Sequence, residues 1–159
     1  MSAILVIREA TQADVTAILP RLRKADRLEL ELSSGTDVEA TLHRAIETPG
    51  ENLAGGLDGE VVVLGGCASD SVGVGVPWMV GTDKLTANLR TFIQLGGVMR
   101  ARYEKQYALL TNFVHAENAI HIRWLRHIGF SFGETIPDFG VGKAPFIQFY
   151  RYSPCAIQP

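Results

Sequence analysis

The hydrophobic period of this chain changes near residue 50, and that change limits its fold more than any other feature. Upstream, apolar residues recur at helical spacing. Downstream, "NLAGGLDGEVVVLGGCAS" alternates as strands do, on either side of Asp58-Gly59. An Asp-Gly pair tolerates the positive φ that a two-residue hairpin demands, so two antiparallel strands joined by a tight turn are expected. "VGVGVPWMVG" follows as a third strand. Pro77 within it has no donor to give and marks a bulge or an edge.

The flanking segments complete the order. "AILVIREAT" reads as a strand, and "TQADVTAILPRLRKADRLELEL" as a helix through Val15, Ile18, Leu19 and Leu22. Thr11 is its expected N-cap, with Asp14 as a variant capping box, and Pro20 kinks or splits it. Thr36 or Asp37 opens a second helix that Pro49-Gly50 stops. Beyond the meander come a long helix in "TDKLTANLRTFIQLGGVMRARYEKQY", a strand in "ALLTNFVHAE", a helix in "NAIHIRWLRHIGF" and a closing strand in "APFIQFYRYS". "FGVGKAP" before that strand reads as a hairpin loop. Gly96-Gly97 costs about 1 kcal/mol per glycine relative to alanine inside a helix, which implies close packing against the sheet or a bend. Strand, helices, three meandering strands, helix, strand, helix, strand describes a mixed α/β sheet rather than a sandwich or a bundle.

Composition narrows the function. At 159 residues the chain is the size of one domain, residues 1–159. Its 47% hydrophobic and 20% charged residues suit a folded globule. A net charge of -2 gives no global reason to bind nucleic acid or an anionic membrane, so either would need a local patch. The aromatic run in "FIQFYRY" is explained by a half-buried strand, and the apolar run near the start is too short for a membrane span. Cys67 and Cys155 lie in no metal-ligand or CxxC spacing; reduced thiols and no metal are expected, with Cys67 a buried small hydrophobe.

"ENAIHIRWLRHIGF" gathers two histidines and two arginines. Period and caps make it a short helix: Asn118 as N-cap, Ile120, Trp124, Leu125 and Ile128 as an apolar stripe, Gly129 at the left-handed end position, Phe130 packing back. Arg123, Arg126 and His127 point away from the stripe. His121 falls on the apolar side, as a hydrogen-bonded core residue or a base. Other possible bases are Glu29 and Glu31, in the polar alternation of "RLELEL", and His115, at a strand end.

The opening "IREATQAD", the meander, the strand before a long helix, and the Asn118 to Phe130 segment together resemble the GNAT acetyltransferase superfamily over nearly the whole chain. The resemblance implies a mixed, mostly antiparallel sheet of six to seven strands, helices on both faces, and a splayed central pair of parallel strands. It also implies acyl-CoA between those strands, its pyrophosphate at the start of the long helix. On that reading Met79, Val80, Gly81, Lys84, Arg90 and Asn118 are cofactor-binding candidates and Glu29, His115 and His121 catalytic ones. Two features depart from the family. Where a glycine-rich [QR]xxGx[GA] loop belongs, the chain reads "GTDKLTANLR". Where a tyrosine often stands four residues before the glycine of "GF", ready to protonate the thiolate, it has Leu125. A narrower resemblance, carried by Trp78, Asn118, His121, Ile122, Arg123, Leu125, Ile128 and Gly129, is to the internal virion proteins of short-tailed coliphages, a group with GNAT-like architecture. That likeness implies a virion-associated or morphogenesis protein without cofactor, partnered by other phage virion proteins, in the virion or the host cytoplasm. The alternative is an acetyl-CoA-dependent N-acetyltransferase.

Overall fold

The computed structural model describes residues 4–35 and 37–154. The expectations for Thr36 as a helix start and Cys155 as a reduced thiol lie outside the described residues. Seven strands form one sheet: β1 (Leu5–Glu9), β2 (Gly50–Leu57), β3 (Glu60–Ser71), β4 (Val74–Gly81), β5 (Leu109–His115), β6 (Ser131–Phe139) and β7 (Ala144–Tyr152). Their order is β1-β2-β3-β4-β5-β7-β6, antiparallel throughout except for the β4–β5 pair. The helices are α1 (Gln12–Ile18), α2 (Lys24–Ser34), α3 (Val38–Glu47), α4 (Lys84–Ala87), α5 (Leu89–Glu104) and α6 (Ala119–His127).

The β2–β3 hairpin turns at Asp58 (φ 51°) and Gly59 (φ 82°), the positive pair that the sequence predicts. Pro20 splits the first helical segment: a single turn of 3₁₀ helix, Leu19–Arg21, separates α1 from α2. In "IREATQAD", the Asp14 carboxylate accepts from the Thr11 backbone N–H at 2.8 Å and takes both Arg8 guanidinium nitrogens at 2.7 Å. This motif therefore ties β1 to the start of α1, and Arg8 holds the Asp14 carboxyl below the usual carboxylate range.

Helices cover both faces of the sheet. Alternation along β4 sends Trp78 and Val80 into a core with Val15, Ile18, Val38 and Leu42 from α1 and α3. Met79 points the other way, toward Leu85 and Phe92 of α4 and α5. A third cluster joins α6 to β5 and β7 through Val114, Leu125, Ile128 and Phe149, with Cys67 buried in it. There the thiol is pushed up to about 12, chiefly by burial, as befits an inert small hydrophobe.

Four expectations need correction. The long helix is broken at Asn88, whose φ of -124° leaves helical space and separates α4 from α5. Gly96 admits α6 rather than the sheet: a Cβ there would lie 2.7 Å from Trp124 and 3.0 Å from Ile128, whereas Gly97 faces open space. Ile120 is not part of the inward stripe but is 45% exposed. β6 occupies residues 131–139, of which the sequence reading assigns an element to Phe139 alone, and "FGVGKAP" spans its turn into β7.

Pro77 marks neither a bulge nor a sheet edge. It sits where the parallel pair opens, since β4 and β5 share only two residue pairs, Val74↔Leu109 and Gly75↔Leu110. Beyond them Pro77 has no N–H to extend a ladder, and the Asn112 side chain donates to its carbonyl at 2.9 Å across the gap. The strands splay from that point.

Candidate functional site

The open end of the splay is spanned by buried polar side chains from α2 and from the β5–α6 junction. Arg23, just before α2, places its backbone N–H 2.8 Å from the Gly81 carbonyl at the end of β4. Asp26, one turn on, accepts the Gly81 N–H at 2.9 Å. Both polar groups of that backbone residue are thus taken by α2 and the residue that caps it. The Arg23 guanidinium lies 3.3 Å from Asp26, and Asn118 receives it at 3.4 Å. The Asn118 amide donates to Asp26 at 3.4 Å and to Glu29 Oε2 at 2.9 Å, while the His115 backbone N–H reaches Glu29 Oε2 at 3.2 Å. Glu29 Oε1 stands 4.0 Å from His121 Nδ1, which has no hydrogen-bond partner.

This corrects three readings. Asn118 sits at the N-cap position of α6, yet its side chain makes no cap bond because it is spent on Asp26 and Glu29. Glu29 is not part of a solvated alternation: α2 is helical, so residues 23, 26 and 29 fall on one face and turn inward, while Glu31 is exposed. His121 is buried as expected, but Nδ1 is left unbonded.

Burial sets the charge state. Desolvation outweighs the bonds from Asn118 and His115 and raises the Glu29 carboxyl to about 7. Desolvation also outweighs Arg23 at Asp26 and lifts that carboxyl above its usual range. His121 is driven down to about 4, again by burial, and is neutral near neutral pH. A carboxyl titrating near 7 can exchange protons under physiological conditions, as a general base must, although structural networks produce the same shift.

Glu29 and His121 also border a cavity of about 360 Å³ that runs through the splay, with Trp78, Met79, Phe113 and Phe139 among its walls. That volume is near the lower limit for small-molecule pockets, about 300–1,000 Å³. Phe139 stacks between Phe113 and Phe146 at 4.6 and 4.7 Å, and Gly142 in the β6–β7 turn donates to the Leu32 carbonyl at 2.9 Å. The hairpin is thereby fastened to the end of α2.

Of the predicted site residues, the structure brings together Glu29, His115, His121, Asn118 and Gly81. His115 contributes its backbone, its ring lying 5.3 Å from that of Phe146. Met79 and Val80 line the cavity. Lys84 and Arg90 stand apart: Lys84 pairs with Glu60, and Arg90 is exposed on α5. Arg23 and Asp26 were not foreseen. Their signal is the three-residue spacing of Arg23, Asp26 and Glu29, which is informative only once the buried face of α2 is known.

The turn after β4 is filled from within. The Thr82 N–H bonds the Val62 carbonyl at 3.0 Å, Lys84 N–H bonds Thr82 Oγ1 at 3.3 Å, and Leu85 N–H bonds the Thr82 carbonyl at 3.0 Å. Leu85 lies buried over Gly81, where a Cβ would meet Leu85 Cδ1 at 1.9 Å. Between the starts of α5 and α6, a hollow bordered by Arg23, Leu85, Leu89, Ile120 and Trp124 holds about 20 Å³, space for little more than water. Leu125 is buried in the core beside Ile128. Among the described residues, no group of three or more His, Cys, Asp or Glu is placed to hold a metal, and no helix is long and apolar enough to cross a membrane.

The sheet order, the single splayed parallel pair and the helices on both faces define a GNAT-like fold. Solved structures agree. A ribosomal-protein-alanine N-acetyltransferase from Brucella melitensis superposes with a TM-score of 0.70 at 19% identity, covering 92% of this chain and 99% of its own. An acetyltransferase of the GNAT family from Streptococcus pneumoniae gives 0.60 at 16% identity, covering 94% and 99%. A GCN5-related N-acetyltransferase from Kribbella flavida gives 0.67 at 17%, covering 93% and 97%. At these identities the likeness is one of fold. No curated protein matches the chain by sequence. A family model does: residues 52–136, more than half the chain and reaching from β2 into β6, match the family described as "Bacteriophage T7, probable scaffold protein Gp13". The chain belongs to that phage family.

Proposed function

We propose that this chain is a phage morphogenesis protein, of the internal virion type, in which residues 1–159 act as one GNAT-like unit serving assembly rather than acyl transfer. The observation that carries the proposal is the closed end of the splay. The Gly81 N–H and carbonyl, which border the path a pantetheine arm would follow, are bonded to Asp26 of α2 and to Arg23 at its N-cap. The residues present do not fit acyl-CoA: Leu85 fills the turn where its diphosphate would lie, and Lys84 is engaged by Glu60. Leu125 offers no proton to a leaving thiolate. The family to which the chain belongs supports other phage proteins as its partners, in the virion or in the host cytoplasm during assembly.

One observation favours the acetyltransferase alternative, namely the Glu29 carboxyl titrating near 7 beside a cavity. Thermal unfolding with millimolar acetyl-CoA separates the two readings. A ligand at about 100 times its dissociation constant stabilises the folded state by about 2.7 kcal/mol, which is a shift of several degrees in Tm. The assembly reading expects no shift, and expects mass spectrometry to find the polypeptide in purified particles or their precursors. A saturable shift, or absence from every assembly stage, would overturn it.

A further inference from the structure

Buried polar side chains are nearly always hydrogen-bonded, so the unpartnered ones call for an explanation. Among the described residues four buried side-chain atoms have no partner: Asn52 Oδ1, Trp78 Nε1, Arg100 Nε and His121 Nδ1. Three of the four belong to residues on the wall of the cavity in the splay, namely Trp78, Arg100 and His121. Arg100 is neutralised by Glu104 through another nitrogen. Glu29 adds a further group to that wall. Both hydrogen bonds to its carboxyl, from the His115 N–H and the Asn118 amide, fall on Oε2, which leaves Oε1 facing His121 Nδ1 at 4.0 Å. That separation is too long for a direct bond. It suits one hydroxyl oxygen about 2.8 Å from each, accepting the acid proton of Glu29 and donating its own to Nδ1 in the tautomer that carries hydrogen on Nε2.

The rest of the wall is hydrocarbon and ring. Met79, Phe92 and Met99 line it on the α5 side of the sheet, and Trp78, Phe113 and Phe139 on the α2 side. Aromatic guests pack edge-to-face or offset against such rings, and thioethers favour ring edges. A folded interior keeps few voids larger than a water molecule, and an apolar cavity of about 150 Å³ already takes up benzene. This one, at about 360 Å³, has room for a substituted ring. Charge is disfavoured there: apolar walls penalise an ion of either sign, and the Asp26 and Glu29 carboxyls oppose an anion in particular.

We infer that the cavity binds a small, neutral aromatic molecule bearing one hydroxyl, a phenol by class, with that hydroxyl seated between Glu29 and His121 and the ring among Trp78, Phe113 and Phe139. This binding goes beyond the assembly reading and does not rest on it. It differs also from N-acetyl transfer, which would call for an amine at the same place.

The test is isothermal titration of the full chain below pH 7, where Glu29 keeps its proton. The probes are para-propylphenol, para-propyltoluene, which has a methyl in place of the hydroxyl, and para-propylbenzylamine. The phenol should bind saturably and about tenfold tighter than the toluene, the difference that one net hydrogen bond makes. His121→Leu removes the acceptor and should bring that ratio to about one without weakening the toluene. Met99→Trp narrows the cavity on the α5 side, away from the polar bridge, and should weaken both. Amide NMR shifts confined to the cavity wall locate the site independently should that variant not fold. No saturable binding of the phenol up to its solubility limit, equal affinity for phenol and toluene, unchanged binding in Met99→Trp, or shifts lying elsewhere would each overturn the inference and leave the assembly reading standing. An amine that binds tighter than the phenol would overturn it too, in favour of the acetyltransferase alternative.

Discussion

Replacing Glu29 by glutamine should stabilise the protein at alkaline pH, and the size of the gain follows from the site. Burial moves the Glu29 carboxyl from an ordinary 4.5 to about 7. Below pH 4.5 it is protonated in both the folded and the unfolded chain. As pH rises through that value the unfolded chain ionises first, while the folded chain holds its proton until about 7. Stability is therefore greatest below the unfolded value and is lost as pH rises through the folded one. The loss is about 3 kcal/mol at about 1.4 kcal/mol per pH unit. Glutamine keeps the shape, still accepts from Asn118 and the His115 N–H, and cannot ionise. At pH 8, E29Q should exceed the wild type by up to about 3 kcal/mol, or roughly 6–12 °C in Tm for a chain of this size. His121 slopes the other way: its folded value near 4 gives stability present above 6.5 and lost as pH falls toward 4. The difference between the two proteins, taken from urea unfolding at half-unit pH steps from 4 to 8, removes that opposing contribution. Parallel stability curves for wild type and E29Q would refute the buried, proton-holding account of Glu29.

Other substitutions probe the packing around it. Asn118→Ala leaves Arg23, Asp26 and Glu29 without a shared partner in a buried setting, so a loss of about 2–4 kcal/mol in urea unfolding is expected. Gly96→Ala drives a methyl into Trp124 and Ile128 and should cost about 1–3 kcal/mol, whereas Gly97→Ala meets nothing and should gain up to about 1 kcal/mol. Opposite shifts in Tm from adjacent glycines would check both positions at once.

The parts of the fold that were legible in sequence are those whose chemistry is local. Asp58-Gly59 specifies its turn by backbone tolerance alone, and Pro20 splits α1 from α2 wherever it is placed. β6 was not legible because Ser131–Phe139 forms an edge strand, exposed along nearly its whole length; it has no alternation to show and carries Gly133 and Pro137. The break at Asn88 escaped notice because Leu85, Leu89 and Phe92 keep helical spacing across it. The site was legible only in part. Glu29, His115 and His121 can be named as titratable residues, but Glu29 and His121 are 92 positions apart, and what joins them is a gap between strands. Arg23 and Asp26 read as surface charge until α2 is laid against the end of β4.

The two residue pairs that join β4 to β5 give the sheet a mechanical character of its own. Strands β1 to β4 form one continuous ladder and β5, β7 and β6 another, joined within the sheet by Val74–Leu109, Gly75–Leu110 and the Asn112 amide, at the far end by the polar bridge, and across the faces by the core in which Cys67 of β3 is buried with Leu110 and Val114 of β5. The molecule is two stiff plates riveted at both ends of a seam. The rivet at the open end is the Arg23, Asp26, Glu29 and Asn118 bridge, whose strength depends on the ionisation of its two carboxyls rather than on packed hydrocarbon.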